Sequence, residues 1–98
     1  PAFREFLAKL PPDLPLYHFG DTDPSGWHIL LKLRQAAGRP VAAYRMKWRP
    51  AAVANPLTQH DRKLLEKLLA DPLLTDVRDE IEVMVTTGNR GDYEQETL

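Results

Sequence analysis

Apolar positions fall along this chain in two rhythms. Leu14-Pro15-Leu16-Tyr17-His18-Phe19 is a short, unbroken, aromatic-rich run between Pro11-Pro12 and Gly20, which predicts a buried strand. Ile29, Leu30, Leu33 and Ala37 then recur at helical spacing until Gly38. That spacing predicts a helix with Asp23 as its N-cap and Pro24 at the first helical position, where a missing N–H costs nothing. Val41-Ala42-Ala43-Tyr44 reads as a second apolar strand. Residues 51–56 contain turn formers and little periodicity, so they should be a connection. Beyond them Thr58 caps an amphipathic helix running to about Ala70. Its apolar stripe is Leu64, Leu65, Leu68 and Leu69, with Asp61, Arg62, Lys63, Glu66 and Lys67 on the remaining face. Asp71-Pro72 breaks that helix. Another is expected from about Thr75 through Val85, with Val77, Ile81, Met84 and Val85 inward and Asp76, Arg78, Asp79, Glu80 and Glu82 outward. Gly88-Asn89-Arg90-Gly91 ends it, and residues 92–98 form one helical turn or a frayed tail.

These elements predict a single α/β domain over residues 1–98, with a Rossmann-like βαβ part in 1–50 and a mainly helical part in 51–98. The sheet should be short and parallel, with one crossover helix. Two carboxylates, Asp21 and Asp23, stand where the first strand gives way to the helix. In open parallel sheets ligands collect outside the carboxyl ends of the strands, and a helix N-terminus there favours anionic groups. A carboxylate pair at that place would need a cation to bring phosphate close. Mg²⁺ takes one or two carboxylates together with waters and substrate phosphates. The alternative is purely local: Asp is a preferred N-cap, Gly-Asp is ordinary turn chemistry, and Asp-Pro commonly starts helices. Asp21 is not needed for the cap, which leaves both readings open.

The run Tyr17-His18-Phe19-Gly20-Asp21-Thr22-Asp23-Pro24-Ser25-Gly26-Trp27-His28-Ile29-Leu30, followed by Leu33-Arg34 and the strand Val41 to Met46, resembles the C-terminal domain of the JetD family of Wadjet defence proteins. That domain has a Toprim fold similar to those of the type IIB topoisomerase A subunit and the meiotic double-strand-break enzyme. The resemblance implies that Asp21 and Asp23 are ligands of Mg²⁺ (or Mn²⁺), since Asp21-x-Asp23-Pro24-x-Gly26 matches the Toprim aspartate motif. It covers residues 14 to 46 specifically. Glu94-Gln95-Glu96 also looks like a short element found late in JetD-like domains, and its role is unassigned. Toprim domains carry a further Glu after an earlier strand, which this chain starts too late to include. Glu5 sits instead in an amphipathic helix. The catalytic residues are therefore unknown, and the fragment is expected to hold an incomplete site within a longer protein. The family further implies a DNA-cleaving subunit acting with SMC-type complexes against plasmid or other foreign circular DNA. In the related topoisomerases the nucleophilic Tyr lies in a separate domain, so Tyr17, Tyr44 and Tyr93 are not assigned that role.

Composition is that of a soluble domain: 98 residues, 43% hydrophobic, 28% charged, formal net charge −1. That balance lacks the strong basicity of a stand-alone nucleic-acid binder, so local distribution matters more than the sum. Arg45, Lys47 and Arg49 alternate with Met46 and Trp48, and an extended backbone would set the three cations on one side, where they could meet phosphodiesters. A solvated loop is the alternative. The chain has no Cys, which removes disulfides and thiolate sites. No apolar stretch approaches a membrane span and no signal peptide is visible, so no membrane partner and a cytoplasmic location are expected. His18, His28 and His60 lack zinc-ligand spacing. Ser25 is not in a hydrolase elbow, and neither a dinucleotide fingerprint nor a phosphate loop is present. Trp27 and Trp48 are expected to pack rather than stack on bases. Three functions follow in order: a Mg²⁺-dependent Toprim-type DNA nuclease part, a non-catalytic assembly or DNA-docking domain, and a haloacid-dehalogenase-like phosphatase.

Overall fold

The computed structural model describes residues 5, 6, 8–51 and 53–92. Its elements in order are strand β1 (Leu16–His18), helix α1 (Pro24–Ala37), strand β2 (Val41–Ala43), helix α2 (Gln59–Leu69), a 3₁₀ segment (Pro72–Val77) and helix α3 (Arg78–Thr87). β1 and β2 pair in parallel, Leu16 opposite Val41 and His18 opposite Ala43. The Tyr44 N–H donates to the His18 carbonyl at 2.8 Å, carrying the ladder one residue further. The expected mixed α/β architecture, with a crossover helix between parallel strands and a helical second half, is thus present. Glu94-Gln95-Glu96 and Tyr93 lie outside the described residues, whereas Glu5, Phe6 and Ala8 are described and helical, as expected around Glu5.

Local chemistry sets the helix ends. The Gly26 N–H donates to Asp23 Oδ1 at 2.7 Å, Pro24 opens α1, and Gly38 closes it at φ 62°, a left-handed conformation that glycine adopts without a Cβ penalty. Thr58 and Asp61 form a reciprocal capping box on α2: the Asp61 N–H donates to Thr58 Oγ1, and the Thr58 N–H to Asp61 Oδ2. Asp71 caps the 3₁₀ segment, whose Leu74 departs from helical dihedrals. The single helix expected over Thr75 to Val85 is therefore two pieces, and α3 begins only at Arg78.

Helix α1 packs on the sheet, and α2, the 3₁₀ segment and α3 build the rest of the core on it and on one another. Trp27, Leu30, Leu65, Ile81 and Met84 are wholly buried, with Leu68 and Leu74 at 1% exposure, and Val41, Leu16 and Ala43 meet them from the sheet. Side chains alternate across a strand, so Tyr17, Ala42 and Tyr44 occupy the other face, and all three are exposed. The first strand is accordingly covered on one side only, a correction to the buried strand that its continuous apolar run predicts. Ile29 is 51% exposed; Trp27 and Leu31 take the inward positions of α1 instead. No helix among the described residues is long and apolar enough to cross a membrane.

Candidate metal and phosphate-binding site

Parallel pairing sends the C-terminal ends of β1 and β2 to the same sheet edge. The Gly20–Asp23 turn follows β1 there, and Tyr44 to Arg49 follow β2. Asp21 is exposed, while Asp23 is half-buried and uses Oδ1 as the α1 cap. The turn is folded tightly against the first turn of α1. A Cβ on Gly26 would overlap the carbonyl oxygen of Asp21 and would meet its carbonyl carbon at 2.7 Å and Asp23 Oδ1 at 3.1 Å. The glycine of the Asp-Pro-x-Gly motif is thus a packing requirement that fixes both aspartates relative to the helix N-terminus.

Thr22, between them, is 1% exposed and its hydroxyl is buried without a hydrogen-bond partner. The candidate donors would be hard oxygens, as Mg²⁺ and Mn²⁺ prefer: the exposed Asp21 carboxylate and the Asp23 oxygen outside the cap bond. Two carboxylates suit a Mg²⁺ site that completes its shell with water and phosphate. Among the described residues no three of His, Cys, Asp and Glu converge as a metal-holding group. The His18 imidazole lies against Gly20, in the space that a Cβ there would take. Its Nε2 is buried without a partner, and desolvation holds the ring below the usual histidine range.

The basic residues stand differently from their sequence pattern. Extended strand ends at Ala43, and Arg45 adopts φ 55°, a left-handed conformation uncommon for a branched-chain-free but bulky residue. The strict alternation needed to align three cations is therefore broken at the first of them. Arg45 is exposed, its guanidinium carbon 5.3 Å from the Tyr44 ring centroid. Lys47 is exposed, and Arg49 donates through Nη2 to the Asp92 carbonyl at 3.1 Å. On the helix side Arg45 and Lys47 share a groove of about 220 Å³ with Asp76 and Glu80. Both tryptophans pack, Trp27 at 0% exposure and Trp48 donating through Nε1 to the Asn89 carbonyl at 3.1 Å.

Two ion pairs hold the helical half and were not anticipated. Asp61, expected on the solvent side of α2, is 7% exposed; its Oδ2 accepts from Arg90 Nη2 at 2.7 Å and Nε at 3.0 Å. Burial raises the Asp61 carboxyl, but the Thr58 N–H, the Arg90 and Thr58 side-chain bonds and the Arg90 charge together hold it below its usual value. Arg34 on α1 makes a bidentate pair with Asp76 at 2.7 and 2.9 Å, and donates to the carbonyls of Val41 and Leu73. The Arg34 hydrogen bonds lower the Asp76 carboxyl against an opposing desolvation, with the guanidinium charge adding to them. Glu80, expected outward, accepts the Trp48 N–H at 2.7 Å.

No family model, curated protein or solved structure matches this chain.

Proposed function

We propose that this chain is part of a Mg²⁺-dependent Toprim-type DNA endonuclease, acting in the bacterial cytoplasm with SMC-type partners against plasmid or other foreign DNA. The supporting observation is the Asp21–Gly26 turn: two carboxylates at the C-terminal edge of a parallel βαβ unit, positioned by a glycine that no side chain could replace without displacing them. A divalent cation bound there would polarise a phosphoryl oxygen or stabilise a leaving oxygen. Asp21 supplies an exposed carboxylate, and Asp23 supplies a second while tying the turn to α1. The remaining acidic ligand, and any nucleophile, would come from the parent protein. Arg45 and Lys47 would meet phosphates at the same edge; Arg49 is engaged with the Asp92 carbonyl.

The second reading, a non-catalytic assembly or DNA-docking domain, is favoured by one observation: the Asp23 bond to the Gly26 N–H is a complete N-cap without any metal. A phosphatase of the haloacid-dehalogenase type stands third, because Pro24 and Gly26 follow the aspartates where that family has a different loop. The test is a Mg²⁺ and Mn²⁺ titration followed by NMR at the amides from Gly20 to Gly26. Localised shifts abolished by Asp21→Asn support the metal site. Absent shifts both here and in a longer chain carrying the upstream acidic residue would leave the capping role alone.

A further inference from the structure

The face of the sheet turned away from the helices is a feature that the Asp pair does not use. Tyr17 is 65% and Tyr44 42% exposed, and Ala42 lies opposite Tyr17 on the same face. Tyr17 and Tyr44 meet edge to face, centroids 6.2 Å apart at 77°, and Phe19 meets Tyr44 in the same way at 5.9 Å and 74°. Arg45 sits over the Tyr44 ring, while Arg45 and Lys47 both border the helix-side groove that holds Asp76 and Glu80. The result is a short aromatic ledge, hydroxyl-tipped, with the Arg45 guanidinium at its rim.

We propose that Tyr17 and Tyr44, with Arg45 beside them, form a stacking platform for unpaired bases of a single-stranded nucleic acid. Single-strand binders combine aromatic rings, on which any base can stack, with cations that track the backbone. Exposed aromatics on an open sheet face recognise RNA in this way. Charge decides for nucleic acid over an apolar protein layer: the Arg45 guanidinium stacked on the ledge complements phosphate, and a covering protein layer would have to bury it. Asp21, exposed at the same edge, repels phosphate unless a cation is bound. The platform rests on the nuclease reading only in that respect, since the metal site would draw the strand toward the turn.

The experiment uses the whole chain with a fluorescein-labelled oligothymidylate roughly 12 nucleotides long and a duplex of the same length, followed by anisotropy in low salt with EDTA. Tyr17→Ala and Tyr44→Ala are each expected to weaken oligothymidylate binding about tenfold or more, while Tyr17→Phe retains it and duplex binding changes little. Both positions are exposed, and circular dichroism checks that the variants fold. Three results would overturn the proposal: no binding of the single strand, binding indifferent to both alanine variants, or self-association of the protein that Tyr17→Ala abolishes, which would make the face an interface between copies. EDTA separates this from the metal reading. Tyrosine-dependent binding combined with failed Mg²⁺ shifts at Gly20 to Gly26, both here and in a longer chain carrying the upstream acidic residue, supports the platform and removes the nuclease site; Mg²⁺ shifts without tyrosine dependence do the reverse.

Discussion

Gly26→Ala is the sharpest probe of how the Asp turn is built. On helix propensity alone an alanine in the first turn of α1 should stabilise the chain by about 1 kcal/mol. The added methyl, however, would lie within 2.7 Å of the Asp21 carbonyl carbon and 3.1 Å of Asp23 Oδ1. Neither neighbour is the flexible end of a long side chain, so the turn itself must move. Overpacking of this kind costs about 1–3 kcal/mol, and a displaced Asp23 forfeits a cap bond worth about 1 kcal/mol. The net expectation is a loss of about 1–3 kcal/mol, a large share of the ~5–15 kcal/mol typical of a small domain. Urea unfolding followed by Trp27 fluorescence should show the midpoint falling by on the order of 1 M. Gly38→Ala is the control: nothing lies within 4 Å of its Cβ, so only the φ 62° conformation is penalised, at about 1 kcal/mol. A Gly26→Ala protein as stable as the wild type, or more so, refutes the close approach and with it the reason for a glycine in the motif.

The ion pairs give further expectations. Asp61→Asn should cost about 1–3 kcal/mol at pH 7, since it removes the charge facing Arg90 inside the capping box. The Asp61 and Asp76 carboxyls are held below their unfolded values, so the stability they add is full above about pH 4 and is lost as pH falls through the folded-state values. Urea midpoints of wild type and Asp61→Asn should therefore converge on acidification below that point; a gap that stays constant from pH 7 to pH 3 contradicts the linkage. Arg34→Lys should lose nearly as much as Arg34→Ala, about 1–3 kcal/mol, because one ammonium cannot reproduce a bidentate bond to Asp76 together with bonds to Val41 and Leu73. Thermal unfolding of the two variants would show it, and a lysine variant matching wild type would mean that charge alone holds the contact.

Helix ends and strand pairing were legible because their signals are local. Asp23-Pro24, Thr58, Gly38 and Gly88 mark the caps in the sequence as they stand in the fold. What could not be read depended on partners far along the chain. Asp61 looks like a surface acid until Arg90, 29 residues later, is brought beside it. Glu80 likewise meets the Trp48 backbone across 32 residues. The signal that could have flagged Asp61 was its place three residues after Thr58, the spacing of a capping box. The exposed face of β1 was misjudged because a continuous apolar run reads as buried on both sides, whereas only alternate residues of it meet the helices. Arg45 broke the cationic alternation because a left-handed φ at a non-glycine residue leaves no mark in composition. For the candidate site, the sequence supplied the aspartates, and the structure added why Gly26 must accompany them.

The segment after α3 does more than end a helix. The Arg90 N–H donates to Asn55, the Leu57 N–H to Gly88 and the Asp92 N–H to Arg49, while Trp48 reaches Asn89 through its indole. The long connection between β2 and α2 is thus laced to residues 88–92 by main-chain bonds, to which the Trp48 indole and the Arg49 guanidinium add. Amides at Leu57, Arg90 and Asp92 should exchange with solvent as one group rather than as separate loops. Cutting the chain after Thr87 would unlace the whole connection, including the stretch that carries Lys47 and Arg49.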